Sequence, residues 1–404
     1  MNILMSVTEH ILEGVELILL AYFSMSSLYV LIFSMGAHFY RKRRAKTSLR
    51  YSKMAVFIPA YKEDEVIEEV ARAALKQNYP TQCFDVIVIA DSLKKQTKNG
   101  LKQLPVKVIE VSFENSTKAK ALNTAMAQIK DIYDYAVILD ADNIMEYQFL
   151  KKLNIAFKFG FRVVQGHRKA KNLNTSFAIL DAASEEINNH IFRKGHVALG
   201  LSAGLIGSGM AFEYNLFKAI MKPINAVGGF DKELEFELAK AKIKIEYLQD
   251  AIVLDEKIQK PNDFSNQRKR WLATQFIYLK RNFIEGCKQL FLKQNINLFD
   301  KVWQMLVPPR LLLIGLISLI AFLYAFLEYG LNYSLEVSAS MWLINLSMVI
   351  GAFFLALPKS FYNLNTLKAL FYIPNAFFRM LLLLFKLKGA NHKFIHTSHS
   401  VIKN

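Results

Sequence analysis

Short apolar runs alternate with amphipathic stretches in the first half of the chain. Four of these runs predict strands, at residues 54–58, 84–90, 106–111 and 135–139. Two stretches between them predict helices, at residues 63–77 and 117–130. A chain that alternates strands and helices in this way forms a parallel sheet with helices on its faces. We therefore expect an α/β domain with a mostly parallel sheet.

Three longer apolar runs lie outside this region, at residues 17–35, 311–327 and 337–357. Each is long enough to cross a hydrocarbon core of about 30 Å, so each predicts a transmembrane helix. Residues 366–387 are also apolar, but charged residues and Pro374 interrupt them. This last segment predicts either another span or a helix that lies in the membrane interface.

The charges on either side of the first apolar run predict its orientation. The acidic residues Glu9, Glu13 and Glu16 precede it, and the basic residues 41–44 follow it. Because basic residues favour the cytosolic side of a membrane, we expect the N-terminus outside and the α/β domain in the cytosol. The basic tail, residues 386–403, also favours the cytosol. The sequence thus predicts a multi-pass protein of the cell (inner) membrane with a cytoplasmic domain.

Composition narrows the class of partner. The chain has 404 residues, is 53% hydrophobic and carries a formal net charge of +17. Such a charge can serve nucleic-acid binding, attraction to anionic lipid or binding of a phosphorylated substrate. The basic residues cluster beside the apolar runs, and the sequence contains neither zinc-finger spacing nor a helix-turn-helix signature. We therefore expect the lipid bilayer as a partner and no nucleic acid.

Polar residues follow the predicted strands where a parallel sheet places its ligands. Tyr61, Asp91 and Asp140 fall at the carboxyl ends of three strands, and no GxGxxG motif indicates a dinucleotide site. Asp140 and Asp142 form an Asp-x-Asp pair directly after an apolar strand, and carboxylate oxygens suit Mg²⁺ or Mn²⁺. An acidic turn after a strand is also common without any ligand, so the pair alone leaves both interpretations open.

Basic and aromatic residues add a second set of candidates. Lys118 opens a predicted helix, and helix N-termini bind phosphate groups. Gln267, Arg270 and Trp271 form a Gln-x-x-Arg-Trp cluster. Its arginine can neutralise a diphosphate, and its indole can stack on a sugar. The same cluster can instead anchor a basic aromatic helix on the bilayer.

Taken together and in this order, these motifs resemble those of the family-two inverting glycosyltransferases, in the group of cellulose, chitin and hyaluronan synthases. The resemblance covers about residues 50–285. It implies a GT-A fold, a nucleotide-sugar donor that is commonly UDP-linked, and a divalent cation, Mg²⁺ or Mn²⁺. The expected domains are an N-terminal transmembrane helix (1–40), a cytoplasmic GT-A glycosyltransferase domain (50–300) and a C-terminal membrane region (301–404). The last holds two transmembrane helices and an interfacial or third helix.

The resemblance also implies roles for individual residues. Asp142 would be the metal ligand, with Asp140 beside it. The segment Gly207-Ser208-Gly209-Met210 resembles the glycine loop on the acceptor side. The implied substrate-binding residues are Tyr61, Glu63 and Asp91 for the nucleoside, Lys118 and Asp140 near the diphosphate, and Gln267, Arg270 and Trp271 as the QxxRW element.

Two departures from the family pattern concern the site. The family's catalytic base is usually the Asp of a Glu-Asp pair, whereas this chain reads Asp231-Lys232-Glu233 at the equivalent place. We assign the base to Glu233, with Asp231 and Glu235 as rivals. Lys62 stands where the family usually has Asn in the first motif.

These features lead to a functional hypothesis with two alternatives. The leading hypothesis is a membrane-bound hexosyltransferase that extends a β-linked polysaccharide by inverting transfer from a nucleotide sugar. One alternative is the transfer of a single sugar to a lipid carrier or glycolipid, and another is a non-catalytic scaffold that binds nucleotide sugars. The acceptor is accordingly a saccharide or a lipid-linked group. Three or four spans are few for a translocation pore, which favours a partner membrane subunit, a homo-oligomer or the single-transfer alternative.

Overall fold

One mixed sheet forms the centre of the α/β domain. The computed structural model describes residues 2–42, 50–259, 261–333 and 335–387, and within them the sheet has eight strands. The strands are β1 (Met54–Tyr61), β2 (Phe84–Asp91), β3 (Lys107–Val111), β4 (Tyr135–Ile138), β5 (Ile144–Met145), β6 (Val163–Ala170), β7 (Met210–Glu213) and β8 (Ile245–Asp255). Their order across the sheet is β3-β2-β1-β4-β7-β6-β8-β5.

The first four strands run parallel, as the sequence pattern predicts. β1 pairs with β2 and with β4, and β2 pairs with β3, each in parallel. In the other half, β7 is antiparallel to β4 and to β6, β8 is parallel to β6, and β5 is antiparallel to β8. The expectation of a mostly parallel sheet therefore holds only for β1 to β4, and the complete sheet is mixed. The regular strand–helix alternation stops at residue 142, so the crossovers that parallel neighbours require do not continue in sequence order.

Fifteen helices pack on the sheet or beside it within the described ranges. They are α1 (Asn2–Gly36), α2 (Ile67–Ala74), α3 (Lys95–Lys102), α4 (Lys118–Gln128), α5 (Phe149–Lys158), α6 (Ser176–Asn188), α7 (His196–Ala198), α8 (Tyr214–Met221), α9 (Phe230–Lys240), α10 (Pro261–Lys293), α11 (Ile296–Leu306), α12 (Arg310–Ala325), α13 (Ala339–Ala356), α14 (Leu364–Leu370) and α15 (Ile373–Leu384). Short π-helical segments follow α6 and α12.

Strand β1 shows how the core is divided between the two faces of the sheet. Val56 and Ile58 are fully buried in the cluster on one face, and Ala55 and Phe57 are fully buried in the cluster on the other. Successive side chains of a strand point to opposite faces, so burial on both sides requires an unbroken apolar run. Residues of α2, α3 and α5 belong to the first cluster, and residues of α4, α8 and α9 to the second.

The two predicted helices form with changed ends. α4 begins at Lys118 because the side chain of Thr117 accepts a hydrogen bond from the backbone N–H of Lys120, at 3.2 Å. The segment predicted over 63–77 is an α-helix only in α2. Lys62 has a φ of 57°, so the chain turns directly after β1 and the helix begins later than the sequence pattern indicates.

Three helices are long and apolar enough to cross a membrane, judged by length and composition. They are His10–Phe39, Arg310–Gly330 and Ala339–Ala356, and each overlaps a predicted span. α14 and α15 form an apolar pair with a bend of 43°, over the segment predicted as a span or an interfacial helix. The basic run 41–44 is described only through Lys42, and the basic tail 386–403 only through Leu387. The rest of both lies outside the described residues, and the orientation stays a prediction.

Candidate functional site

The sheet and the apolar helices together enclose a cavity of about 960 Å³. Nine of the side chains that the sequence singled out line it: Tyr61, Glu63, Asp91, Lys118, Asp140, Asp142, Gln267, Arg270 and Trp271. Glu233 is not among the described residues that line the cavity, whereas Asp231 is. The cavity also reaches Val30 of α1, Leu313 of α12 and Met380 of α15. One continuous space therefore joins the carboxyl edge of the sheet to the candidate membrane helices.

Tyr61 and Asp91 stand side by side at one end of the cavity. They are register partners at the ends of the parallel strands β1 and β2. Asp91 is buried, and its Oδ1 accepts a hydrogen bond from the Ser92 hydroxyl at 3.0 Å. Tyr61 is half-buried, with the Nζ of Lys62 5.2 Å from its ring centroid. An aromatic face next to a carboxylate can receive a flat ring that carries an N–H donor.

Lys118 connects α4 to the segment that follows β4. Its ammonium donates hydrogen bonds to Oδ1 of Asp140 and, at 2.7 Å, to the backbone carbonyl of Gly207. The same ammonium lies 5.2 Å from the ring centroid of Phe230, the first residue of α9. Lys118 thus places a positive charge between the Asp-x-Asp pair, the glycine loop and the helix that carries Asp231.

Ser208 holds the glycine loop against the Asp-x-Asp pair. Its hydroxyl accepts the backbone N–H of Asp140 at 2.9 Å and donates to Oδ1 of Asn143 at 2.6 Å. Asn143 in turn donates through Nδ2 to Asp142 and to Asp255, each at 3.0 Å. The flanking Gly207 and Gly209 have φ values of 80° and 62°, a left-handed conformation that glycine adopts without strain. These contacts fix the direction in which both aspartates point.

Asp140 and Asp142 provide a donor set that suits a divalent cation held jointly with a phosphorylated ligand. Within the described residues, no group of three or more His, Cys, Asp or Glu side chains is arranged to hold a metal ion alone. Mg²⁺ is commonly bound by one or two carboxylates together with substrate phosphates. Two hard oxygen donors on the cavity wall, beside the ammonium of Lys118, fit that mode of binding.

The QxxRW residues lie in the first turns of α10, on the cavity wall. Oε1 of Gln267 is buried and has no hydrogen-bond partner among the described residues. Burial lowers the pKa of the half-buried Arg270. Trp271 is 42% exposed, and the guanidinium of Arg268 lies 4.4 Å from its ring centroid. The element therefore offers the cavity a cation, an aromatic surface and a carbonyl oxygen that can accept a hydrogen bond from a ligand.

Asp231 and Glu233 both lie in the first turn of α9 but have different surroundings. Glu233 accepts hydrogen bonds from the Arg281 guanidinium at 2.8 Å and the Tyr278 hydroxyl at 3.1 Å, both from α10. Asp231 lines the cavity, and its Cγ lies 4.0 Å from the position that a Cβ on Gly207 would occupy. Burial raises the pKa of the Asp231 carboxyl, with Lys232 opposing that effect. The rival carboxylate Glu235 is buried and bonds to Lys232 and to the backbone N–H of Leu205.

A cluster of buried charges lines the part of the cavity near the apolar helices, and our sequence analysis missed it. Arg168 lies 2.8 Å from Glu185 and 3.6 Å from Asp255, and Lys257 lies 2.7 Å from Asp255. Burial alone would raise the pKa of the Glu185 carboxyl, but Arg168, Lys257 and Arg193 together hold it well below its usual range. These groups are therefore ionised and mutually paired.

One signal in the sequence could have revealed part of this cluster. Residues 251–254 form a short apolar run, Ala-Ile-Val-Leu, which ends in Asp255-Glu256-Lys257. This is the same arrangement of a strand followed by charged residues that identified Asp140. Residues 144–300 lack the regular strand–helix alternation of the preceding region, so the sequence pattern predicts neither β8 nor the charges at its end.

Comparison with known proteins identifies a family over more than half of the chain. Residues 52–274 match the sequence profile described as "Glycosyltransferase like family 2". A curated relative, the poly(ribitol-phosphate) beta-N-acetylglucosaminyltransferase TarS of Staphylococcus aureus, is 25% identical over 103 residues, which is 24% of this chain and 18% of the relative. The matched segment therefore spans less than a fifth of that protein.

Two solved structures match most of the length of the chain. The mannosyltransferase PcManGT from Pyrobaculum calidifontis, in complex with GDP-Man and Mn²⁺, has a TM-score of 0.57 and 16% identity, over 91% of this chain and 96% of the other. Residues 1–349 of S. aureus TarS have a TM-score of 0.40 and 16% identity, over 82% and 90% of the two chains. The first likeness shows a shared GT-A-like fold.

Proposed function

The chain belongs to glycosyltransferase family 2, and we propose that it transfers a sugar with inversion from a nucleotide sugar to an acceptor at a membrane. The observation that carries this proposal is the single cavity that contains Asp140, Asp142, Asp231 and Arg270 and continues to the apolar helices. Of the functional classes considered, a transferase uses all of these groups together. The membership of the cellulose, chitin and hyaluronan synthase group stays a prediction from sequence.

The donor is a nucleotide-linked hexose, and we propose UDP as its nucleotide. Tyr61, Glu63 and Asp91 form the end of the cavity that would receive the nucleoside. Lys118 and Arg270 are the cations available to the diphosphate, and both side chains are partly buried. Gln267 and Trp271 would contact the sugar or the acceptor.

A divalent cation, Mg²⁺ or Mn²⁺, would be held by Asp142 and Asp140 together with the donor diphosphate. When bound, it supplies positive charge that stabilises the departing diphosphate. Without it, Lys118 is the group that neutralises Asp140. The structurally similar mannosyltransferase PcManGT is a complex with Mn²⁺, which supports the choice of cation.

The base that we propose is Asp231, in place of the Glu233 that we favoured from sequence. Asp231 would take the proton of an acceptor hydroxyl, and the oxygen of that hydroxyl would attack the anomeric carbon of the donor sugar. The bond between the anomeric carbon and the diphosphate oxygen breaks at the same time, and the nucleoside diphosphate leaves. A carboxylate with a raised pKa is a stronger base than an ordinary aspartate. Glu233 is poorly placed for the role because both of its oxygens are engaged by α10.

Exposed apolar side chains support a location in the membrane. Leu28, Phe322 and Phe354 are between 48% and 74% exposed, on α1, α12 and α13 respectively. A face of this kind is costly in water but favourable against lipid. We propose that these helices span the cell membrane, with the α/β domain on the cytosolic side, as the charge pattern of the sequence predicts.

A lipid-linked acceptor is favoured over a free polysaccharide chain by one feature of the cavity. Its walls include Val30, Leu313 and Met380, which come from three different apolar helices. An acceptor with a lipid tail would reach the site through these walls without leaving the membrane. Single transfer to such an acceptor is therefore our preferred activity, and extension of a β-linked polymer is the second candidate.

The proposal is tested with the full chain purified in lipid nanodiscs and a panel of nucleotide sugars. We expect one donor to be consumed in the presence of Mn²⁺, and loss of that activity in Asp142→Asn. Mass spectrometry of the product distinguishes a single added sugar from a polymer. If a donor binds but none reacts while the protein is folded, the chain is a scaffold that binds nucleotide sugars and not a transferase.

A further inference from the structure

Arg310 stands where the polar part of the cavity meets its apolar part. It is the first residue of α12 and lines the cavity, as does Leu313 one turn later on the same helix face. Nη2 donates a hydrogen bond of 2.7 Å to the hydroxyl of Ser184. Nε is buried and has no hydrogen-bond partner among the described residues. The wall of the cavity thus changes from a guanidinium to aliphatic side chains within a single turn of helix.

The other buried cations nearby are paired with carboxylates. Arg168 and Arg193 lie 2.8 Å and 3.3 Å from Glu185. The remaining pairs are Lys257 with Asp255 at 2.7 Å and Arg268 with Asp181 at 2.5 Å. Arg310 has no carboxylate within ion-pairing distance in the described part of the chain. Five cations therefore share three carboxylates, and Arg310 is the one left over.

A buried guanidinium without an anion is costly, because it loses its hydration and no oppositely charged group compensates for that loss. Such a group is expected where a ligand supplies the missing charge. Arginine presents its N–H groups in a planar fork that matches the oxygens of a phosphate. Ser184 accepts one hydrogen bond from that fork, and the rest of the fork has no carboxylate partner among the described residues.

We propose that Arg310 binds the phosphate of a lipid-phosphate acceptor whose hydrocarbon chain lies against α1, α12 and α15. This inference rests on the proposed function, since it names the acceptor class of the same site. The order of groups along the wall matches the order of groups in such a lipid, with the anion at Arg310 and the hydrocarbon at Leu313, Val30 and Met380. The part of the acceptor that is glycosylated would extend from the phosphate toward Asp231.

Binding of farnesyl phosphate to the full chain in detergent micelles tests this inference without any transfer reaction. The comparison ligands are farnesol, which lacks the anion, and inorganic phosphate, which lacks the hydrocarbon. We expect farnesyl phosphate to bind at least tenfold more tightly than either one. Arg310→Gln should weaken its binding by about 10- to 100-fold, to the level of farnesol. Arg310→Lys should bind with intermediate affinity, because lysine keeps the charge but not the fork.

Arg379 provides a matched control. It is an exposed arginine on α15 that bonds to the side chain of Asn375, and it is not among the residues that line the cavity. Arg379→Gln should bind farnesyl phosphate as the unmodified chain does. Arg310→Gln should also melt at the same temperature or higher, since it removes an unpaired buried charge; a purely structural arginine would instead lower the melting temperature. If Arg310→Gln does not fold, the lysine variant decides.

Several results would overturn the inference. Equal affinity for farnesol and farnesyl phosphate would exclude the anion site, and equal affinity for inorganic phosphate would show a site for free phosphate. If Arg310→Gln or Arg310→Lys binds farnesyl phosphate as tightly as the unmodified chain does, the phosphate binds at another place and not at Arg310. Binding of UDP with Mn²⁺ should not change in any Arg310 variant. If the unmodified chain does not bind UDP with Mn²⁺, that result would count against the proposed function alone, and the result for lipid binding would stand.

Discussion

Oε1 of Glu233 lies 2.8 Å from Nη1 of Arg281, and this ion pair directs Glu233 toward α10 and not toward the cavity. Asp231, two residues earlier on α9, is the carboxylate that lines the cavity. We expect Asp231→Asn to lower the turnover rate by about 10²- to 10⁴-fold, which is the usual contribution of a general base. Initial rates with the identified donor, under saturating acceptor, measure this effect.

Glu233→Gln is the matched control for that experiment. The amide keeps the size of the side chain and a hydrogen bond to Tyr278, so most of the turnover should be retained. The melting temperature should fall instead, because the partly buried pair with Arg281 loses its charge. The opposite pattern, with Glu233→Gln inactive and Asp231→Asn active, would restore Glu233 as the base.

The pH dependence should follow the raised pKa of Asp231. A base must be ionised, so kcat/KM should rise with pH through a value above that of an ordinary aspartate. The folded chain binds the proton more tightly than the unfolded chain does. Between the ordinary pKa and the raised one, the free energy of unfolding should therefore decrease as pH rises. Melting temperatures of the unmodified chain and of Asp231→Asn, measured from acidic to neutral pH, check this sign. The unmodified chain should lose stability relative to the variant as pH rises, and a relative gain would contradict the prediction.

Removal of the divalent cation should abolish turnover. Chelation with EDTA should stop the reaction, and Mn²⁺ or Mg²⁺ should restore it. Asp142→Asn should reduce the rate by about 10²- to 10³-fold, the range found when one electrostatic contact to a developing charge is lost. It should also raise the Mn²⁺ concentration needed for half-maximal rate. Full activity in EDTA would show that Lys118 and Arg270 are sufficient to neutralise the diphosphate.

The Arg268–Asp181 pair should be important for stability. Its atoms lie 2.5 Å apart, and the two side chains are 8% and 11% exposed. Arg268→Ala leaves Asp181 buried without a partner, which costs about 3–5 kcal/mol. Thermal unfolding in detergent should show the loss. The double variant Arg268→Met with Asp181→Leu should recover most of it, because it removes both charges together.

The sequence by itself determined the parts of this protein that depend on local periodicity. The runs 54–58, 84–90, 106–111 and 135–139 became β1 to β4, since strands buried on both faces need unbroken apolar segments. The long apolar runs became α1, α12 and α13, since each run is apolar over a length that can cross a membrane as a helix. The candidate residues at the strand ends came together because parallel strands end at one edge of a sheet.

Tertiary structure decided the features that local pattern cannot encode. Asp231 and Glu233 are about 200° apart around α9, so only the packing of that helix against α10 selects which carboxylate faces the cavity. The pairing of β7 with β4 and β6, which makes the sheet mixed, joins segments that show no shared periodicity. Arg310 has no carboxylate partner among the described residues, because it meets Ser184 of α6, more than a hundred residues earlier in the chain. Each of these outcomes depends on contacts between distant segments, and such contacts leave no regular spacing in the sequence.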